Sequence, residues 1–587
     1  MPVDPSVAPV IRRLSINRYR SIASMTWHPA AGVNIILGGG DVGKTSILDA
    51  IALLFSPTNP GVVPDTDYHG RDEAKGFVID AVVSLPSDSK ISNLLKASWP
   101  WDWNGREPVV PSIEENRTAA HNDPVYWLQV TGTPDLDLIY EIKQPDGTAE
   151  SFPRPLRGQL GPVRLSGDDR NDRDLRFVQG SALDRLLSDK TLRSRLVDRL
   201  AETDVIGGLS EDGRTALSAL NEAFVAKSLP GNLDLAITSS PGISVMALIG
   251  LTAERDGIEL PLSSWGAGTR RLAALAIAEQ YKGTTPIALV DEIERGLEPY
   301  RQRSLVAKLQ SGKAQCFVTT HSAAAISAAT QSALWYVDHN RRIGLLDGTK
   351  IGQHRVKDPE AFLSRVSIVG EGATEAGFTA VLLTKALGGP LVQFGVHITD
   401  GGGHETTLSL LEALSEGGLS FGGFADDEKG KYPTRWKTLA DKLDKLLFRW
   451  TSGCLDENII NLIPEDKLEL LIQDPAETKT GFRLRTLADR LGTDDKTFVE
   501  LKAKAGADLR KIIIEAALGT VPVGKEAEKK KFQSHAQTWF KTFQGGEELA
   551  NKMFALEQWP TLRPQLLPFC NAVRASIDLF EITDIAP

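Results

Sequence analysis

The chain has few cysteines: Cys316, Cys454 and Cys570, far apart among 587 residues. They form neither a disulfide framework nor a zinc cluster, and they suit a reducing cytoplasm. No apolar run approaches the ~18 residues that a membrane helix needs. The opening MPVDPSVAPVIRRL lacks an apolar h-region, which argues against a secretory signal. A cytoplasmic location is therefore expected. A basic excess is also missing, since the formal net charge is −10. That argues against a protein held to nucleic acid chiefly by a strongly basic surface. It leaves room for local basic grooves and for phosphate contacts made through divalent ions. Repeats and low-complexity tracts are absent. At 41% hydrophobic and 24% charged residues the composition is globular. At ~150 residues per domain the length predicts three or four domains.

The chain reads as two chemical halves. Residues 1–355 alternate β-like runs, such as VNIIL at 33–37 and FVTT at 317–320, with helical patterns. That rhythm predicts an α/β domain. Within it, 165–245 is rich in helix formers and reads as a helical insertion. Residues 341–365 read as a connector. The run at 366–369 opens a second α/β domain, 366–587, that is mainly helical from about 435 to 538. The basic stretch KEAEKKK at 525–531 reads as a solvated helix face or loop.

The strongest motif in the first half is GGGDVGKT at 38–45, a full match to G-x-x-x-x-G-K-[ST] between an apolar run and an amphipathic segment. Glycines let backbone N–H groups approach phosphate oxygens, and the helix N-terminus adds a favourable dipole. Lys44 is expected to reach the β- and γ-phosphates and Thr45 to hold Mg²⁺. Gly38, Gly40, Gly43 and Ser46 complete the ATP-binding set. In PIALVDEIERGLEP, four apolar residues lead into Asp291 and Glu292. Asp291 is expected to hold the Mg²⁺ through water, and Glu292 to polarise the attacking water. CFVTTHS follows, and its His321 is expected near the γ-phosphate. Between these motifs, Ser264, Gly266 and Gly268 precede a long apolar helix. This reads as a second phosphate-binding entrance, with each ATP shared between two copies, or as a tight turn into a core helix.

The second half has no cysteine or histidine cluster but has clustered acids. VSIVGEGATEAGF brings Glu371 and Glu375 to one side of a strand–helix junction by i,i+4 spacing. In FGGFADDEKG, Asp426 and Glu428 face the same way in a strand, with Asp427 a competing ligand one residue out of register. Such an oxygen site prefers Mg²⁺, Mn²⁺ or Ca²⁺ to Zn²⁺.

P-loop, serine/glycine signature, Asp-Glu pair and histidine, in that order, resemble the ATP-binding-cassette ATPases. The opening LSINRYRSIASMTWHPAAGVNIILGGGDVGKT is similar to their RecF/SMC-like branch, with Arg20 at the basic position after an aromatic. Trp265 and Ala267 depart from the family's LSGGQ signature. The acids resemble a Toprim domain, with Glu428 in place of the second aspartate of D-x-D. A cassette ATPase followed by Toprim resembles the OLD (overcoming lysogenisation defect) nucleases over essentially the whole chain, in the helicase-associated, Gabija-like subtype. The resemblance implies an α/β chain: an N-terminal ABC-type P-loop ATPase with a helical dimerisation insertion, then a Toprim domain with its own helical insertion. It further implies Glu457 as another metal ligand and Lys541 beside the scissile phosphate, with Lys552 a rival, and Asp400 of DGGGH as a weaker candidate. It implies two-metal DNA cleavage coupled to ATP, a homodimer, a UvrD-like helicase partner, and a role in phage defence or DNA processing. A non-nucleolytic ATP switch with a scaffold Toprim half is the alternative.

Overall fold

The computed structural model describes residues 8–57, 63–86, 100–113, 119–120, 123–165, 173–178, 181–187, 209–237, 249–280, 287–415, 417–427, 430–474 and 478–585. The chain divides into two compact units, 1–345 and 346–587. The division falls earlier than the ATPase-domain end expected at 355. Helix Thr349–Lys357 buries Ile351, His354 and Arg355 and belongs to the second unit.

The first unit stacks two sheets around one helix. β1 (Val10–Tyr19) alternates buried Leu14 and Ile16 with half-buried Ser15 and Asn17, the period of a strand with one covered face. It pairs antiparallel with β2 (Ile22–Trp27) and with Phe77–Ser84, and the sheet continues through Pro124–Gly132, Leu138–Lys143 and Ala149–Ser151. β3 (Val33–Gly38) is apolar and buried on both faces, as parallel strands are. α1 (Lys44–Leu54) lies between the sheets. Its Ile47, Leu48, Ile51 and Leu54 share one core with Ile16 and Ile79 on one side and Phe317 and Val337 on the other.

The described parts of 165–245 include helices Ala182–Leu187 and Glu211–Ala226, but also strand Asp234–Ile237. That strand pairs with Ile249–Arg255, which pairs with Ile258–Pro261. Most of the helix-rich tract, 188–208, lies outside the described residues. α2 (Ala267–Glu279) follows. The second sheet runs in the order Val163–Leu165, β4 (Ala288–Val290), β5 (Cys316–Thr319), β3, β6 (Ala333–Val337), Ile343–Leu346. Gln315 ties the two sheets together. Its side-chain amide donates to the carbonyls of Ile11 and Ala30, and its oxygen accepts from Ile11 N–H.

The second unit is built on four parallel strands: β7 (Val366–Gly370), β8 (Val396–Asp400), β9 (Phe421–Ala425) and β10 (Leu447–Arg449), in the order β8-β7-β9-β10. α3 (Ala373–Leu387) is buried nearly all round, and α4 (His404–Leu414) joins β8 to β9. The chain switches sides between β7 and β9, which opens a crevice at their carboxyl ends. The tract 435–538 is mainly helical, but it also supplies β10. α5 (Leu455–Leu462) follows β10, and α6 (Phe543–Ala555) packs on α3. Contact between α3 and α6 is close because Gly377 and Gly546 face the partner helix. A Cβ on either would lie about 2 Å from a backbone oxygen, of Phe543 and Thr374 respectively.

Candidate functional site

In the first unit, β3 delivers the glycine loop and α1 begins at Lys44. Gly38 and Gly43 have φ of 147° and 99°, which side-chain-bearing residues rarely adopt. Gly40 is exposed, with open space where a Cβ would stand. Lys44 Nζ donates to the carbonyls of Gly38 and Gly39 at 2.9 and 2.6 Å. Burial lowers its pKa, with Asp291, Glu292, Glu294 and Asp41 opposing that shift. Thr45 is exposed at the start of α1, and its hydroxyl donates to Asp291 Oδ1 at 3.4 Å; Ser46 is half-buried beside it.

Asp291 is buried just past β4. Thr319, at the end of β5, donates to its Oδ1 at 2.6 Å and accepts from Glu292 N–H at 2.8 Å. Glu292 has φ of 48°. Buried Arg271 of α2 donates to the carbonyls of Asp291, Glu292 and Arg295 at 2.5, 2.8 and 2.9 Å. Glu294 accepts from Thr320 Oγ1 and from His321 N–H, both at 2.7 Å. Partial desolvation and then Lys44 lower the His321 pKa, against Glu294 and Glu292. The imidazole is therefore neutral near pH 7. Sequence reading missed Thr319, Arg271 and Glu294.

Arg20 is tied to Asp49 of α1 and, at 2.7 Å, to Asp67. Ser264 and Gly266 are exposed, and Ser264 Oγ donates to Pro261 O at 2.7 Å. Gly268 is buried against Gly296, where a Cβ would come within 2.1 Å of the Gly296 carbonyl oxygen. Within the chain Gly268 thus serves a close approach of backbones.

In the second unit, a cavity of about 450 Å³ lies at the carboxyl ends of β7 and β9. Glu371, Glu375, Asp426, Glu457 and Lys541 all line it, with Cys454 and Gly403. Lys541 gets there because Thr374 Oγ1 donates to Phe540 O at 2.9 Å and α6 docks on the first turn of α3. Its ammonium donates to Asp456 Oδ2 at 2.6 Å. Asp456 is fully buried, and its other oxygen has no partner among the described residues. Burial works against the Lys541 charge, but Asp456 and Glu375 outweigh it and raise its pKa.

Burial first, then Glu375 and Glu371, push Asp426 up to about 9, with Lys541 and the Leu455 N–H opposing. Burial likewise pushes Glu375 up to about 7; Asp456 and Glu371 add to this, and Lys541 opposes. Burial pushes the Cys454 thiol up to about 12. Asp427 is not in the cavity lining; its carboxylate accepts from Arg449 Nη2 at 2.9 Å. Glu428 lies outside the described residues.

Lys552 is spent elsewhere: it donates to the carbonyls of Leu470 and Gln473, and burial lowers its pKa to about 8. Asp400 is paired with Lys357 and caps its own turn through Gly402 N–H. Among the described residues no three His, Cys, Asp or Glu side chains are already grouped as a metal site. Asp456 and His404, which lies 3.0 Å from Glu371, were missed by sequence reading. Periodicity carried the signal for Asp456, because it shares a helix face with buried Ile459 and Ile460.

P-loop, acid pair just past β4, threonine–histidine strand between them in the sheet, and a glycine-entered helix locked onto the acid turn define an ABC-type ATPase domain. The chain belongs to the family described as "AAA domain, putative AbiEii toxin, Type IV TA system", whose model matches residues 33–327. It is 23% identical over 382 residues to the DNA replication and repair protein RecF of Mesorhizobium japonicum, covering 56% of this chain and 96% of that one. A second RecF, of Teredinibacter turnerae, is 46% identical over 46 residues, 8% of this chain and 12% of that one. Among solved structures, the recombination mediator protein RecF-ATP is 13% identical with a TM-score of 0.35, over 58% of this chain and 99% of that one. No helix among the described residues is long and apolar enough to cross a membrane.

Proposed function

We propose that this chain is a metal-dependent DNA endonuclease with a Toprim-like site in its second unit, regulated by its ATPase unit. The observation that carries the reading is the convergence of Glu371, Glu375, Asp426 and Glu457 on one cavity that also holds the Lys541 ammonium. The donor set fits a divalent cation. Its oxygens are hard ligands, and carboxyls that burial pushes up to about 7 and 9 exchange their protons for a metal ion. Glu371, Glu375, Asp426 and Glu457 are the holders, with Glu428 completing the set. Bound Mg²⁺ or Mn²⁺ would supply an activated water and charge neutralisation to phosphodiester hydrolysis. Lys541, kept charged by Asp456, stabilises negative charge on the phosphate oxygens.

In the ATPase unit, Lys44 and the glycine loop bind the phosphates, and Thr45 and Asp291 serve the Mg²⁺. Glu292 polarises water, its backbone held by Arg271 and Thr319. His321 meets the γ-phosphate as a neutral imidazole. Ser264 and Gly266 are exposed, which suits contact with the nucleotide of a second copy and hence a homodimer. The name shared by the two RecF relatives supports DNA as the substrate. A UvrD-like helicase partner and a phage-defence role complete the reading.

The test is plasmid cleavage by the full chain in Mg²⁺, Mn²⁺ or Ca²⁺, with and without ATP, beside Glu371→Ala. Metal-dependent nicking or linearisation that the variant loses is expected. Cleavage that persists in the variant would refute the site. The second reading, a non-nucleolytic ATP switch, is favoured by one observation: Arg449 engages Asp427, so the second acidic motif commits only Asp426 among the described residues. No cleavage in any metal or nucleotide supports it.

A further inference from the structure

Among the described residues, only one oxygen of Glu371 is engaged. Its Oε2 accepts from the Asp426 backbone N–H and lies 3.0 Å from His404 Nδ1, also 3.0 Å from the Asp426 nitrogen. Among the described residues Oε1 has no partner, and Glu371 lines the cavity. The buried Trp436 indole N–H points at His404 Nε2 from 3.2 Å. An indole nitrogen can only donate. Nε2 is therefore the bare nitrogen, and the ring proton sits on Nδ1, aimed at Glu371. Tyr432 stacks on the imidazole at 6.3 Å and 19°, and Trp436 flanks it at 5.3 Å, so the ring orientation is fixed.

The glycine run before His404 serves the same end. Gly402 and Gly403 have φ of 81° and 104°, and the N–H groups of Gly401 and Gly403 donate to the carbonyls of Gly370 and Glu371 at 2.9 and 2.8 Å. The DGGGH segment thus wraps the Glu371 backbone and delivers His404 to its carboxylate.

We propose that His404, its tautomer locked by Trp436, is a positioning residue that occupies one oxygen of Glu371 and presents the other to a divalent cation. The inference rests on the metal reading above and narrows it. One-oxygen ligation suits the tight octahedron of Mg²⁺ or Mn²⁺, whereas Ca²⁺ readily takes both oxygens of a carboxylate. The His404 clamp therefore favours the smaller ions.

The test is calorimetric titration of the full chain with Mn²⁺ and, separately, Ca²⁺, without nucleotide. His404→Phe removes the donor and keeps a ring. His404→Asn restores an N–H near the place of Nδ1–H. His404→Phe is expected to weaken Mn²⁺ binding by about tenfold or more, the usual effect of losing a residue that orients a ligand, and to weaken Ca²⁺ binding less. His404→Asn is expected to recover Mn²⁺ affinity to within about threefold of wild type.

If His404→Phe does not fold, Trp436→Phe, which unlocks the tautomer and leaves His404 in place, is expected to lower Mn²⁺ affinity by about threefold to tenfold. Wild-type Mn²⁺ affinity in whichever of the two folds, with binding lost in Glu371→Ala, overturns the clamp alone. So does a His404→Asn protein as weak as His404→Phe. Absence of Mn²⁺ binding in the wild type, or equal binding in Glu371→Ala, overturns the metal reading and the clamp with it.

Discussion

Replacing Asp426 with Asn should stabilise the second unit in alkaline solution while destroying its response to metal. Burial and the neighbouring Glu375 and Glu371 push Asp426 up to about 9, whereas an aspartate in an unfolded chain titrates near ~3.9. Between those values the folded state keeps a proton that the unfolded state has released. Stability then falls as pH rises, and the fall ends above the folded value. For one carboxyl the slope is about 1.4 kcal/mol per pH unit, or about 3 kcal/mol from pH 6 to pH 8. Asn has the same shape, has no proton to keep, and retains an acceptor for the Leu455 N–H, which donates to Asp426 Oδ1 at 2.9 Å. The assay is urea unfolding of the full chain in EDTA at pH 6, 7 and 8, followed by tryptophan fluorescence. The variant should gain about 3 kcal/mol on wild type across that interval, and Mn²⁺ should flatten the slope of wild type only. Parallel pH slopes for the two proteins would refute the reasoning.

Other substitutions separate the two units and their neighbours. Lys44→Ala should abolish measurable ATP binding, and Glu292→Gln should leave binding intact while lowering turnover by about 100-fold or more, read by nucleotide binding and phosphate release. Both should leave Mn²⁺ binding at Glu371 unchanged. Gly546→Val would set a Cβ 2.0 Å from the Thr374 carbonyl oxygen; it should cost about 3 kcal/mol or more of stability and reduce cleavage by displacing Lys541. Lys541→Met should lower cleavage by about 100-fold. Lys552→Met should instead cost about 1–3 kcal/mol, because the buried carbonyls of Leu470 and Gln473 lose their donor, and should leave the cleavage rate near wild type.

Features encoded locally were legible in the sequence, and features settled by distant partners were not. The glycine loop and Lys44 depend on residues a few positions apart, so spacing revealed them. Glu371 and Glu375 stand on one strand–helix junction for the same reason. The register of the second acidic motif was not local. Arg449, on a three-residue strand inside a tract that reads as helical, draws Asp427 to itself and leaves Asp426 at the cavity. Lys541 and Lys552 look alike in sequence, and distant partners distinguish them: Asp456 for the first, the carbonyls at 470 and 473 for the second. Arg20 ends in ion pairs with Asp49 and Asp67 that no spacing rule connects. Gly268 reads as part of a phosphate entrance, but in the chain its lack of a side chain is required by Gly296.

The position of β3 between β5 and β6 also bears on how the protein is made. The glycine loop is synthesised well before the strands that flank its own strand, which come near the end of the unit. Ile11 meets Gln315 from 304 residues away. At ~5–20 residues per second, the apolar VNIIL run waits roughly 15–60 s on the ribosome for its neighbours. Throughout that delay it has two bare edges, the condition that invites misassociation with other chains. Fragments ending before residue 316 should therefore be insoluble and unable to bind nucleotide, and expression at lower temperature or with extra chaperone should raise the yield of the full chain more than it does for proteins whose strands pair in order.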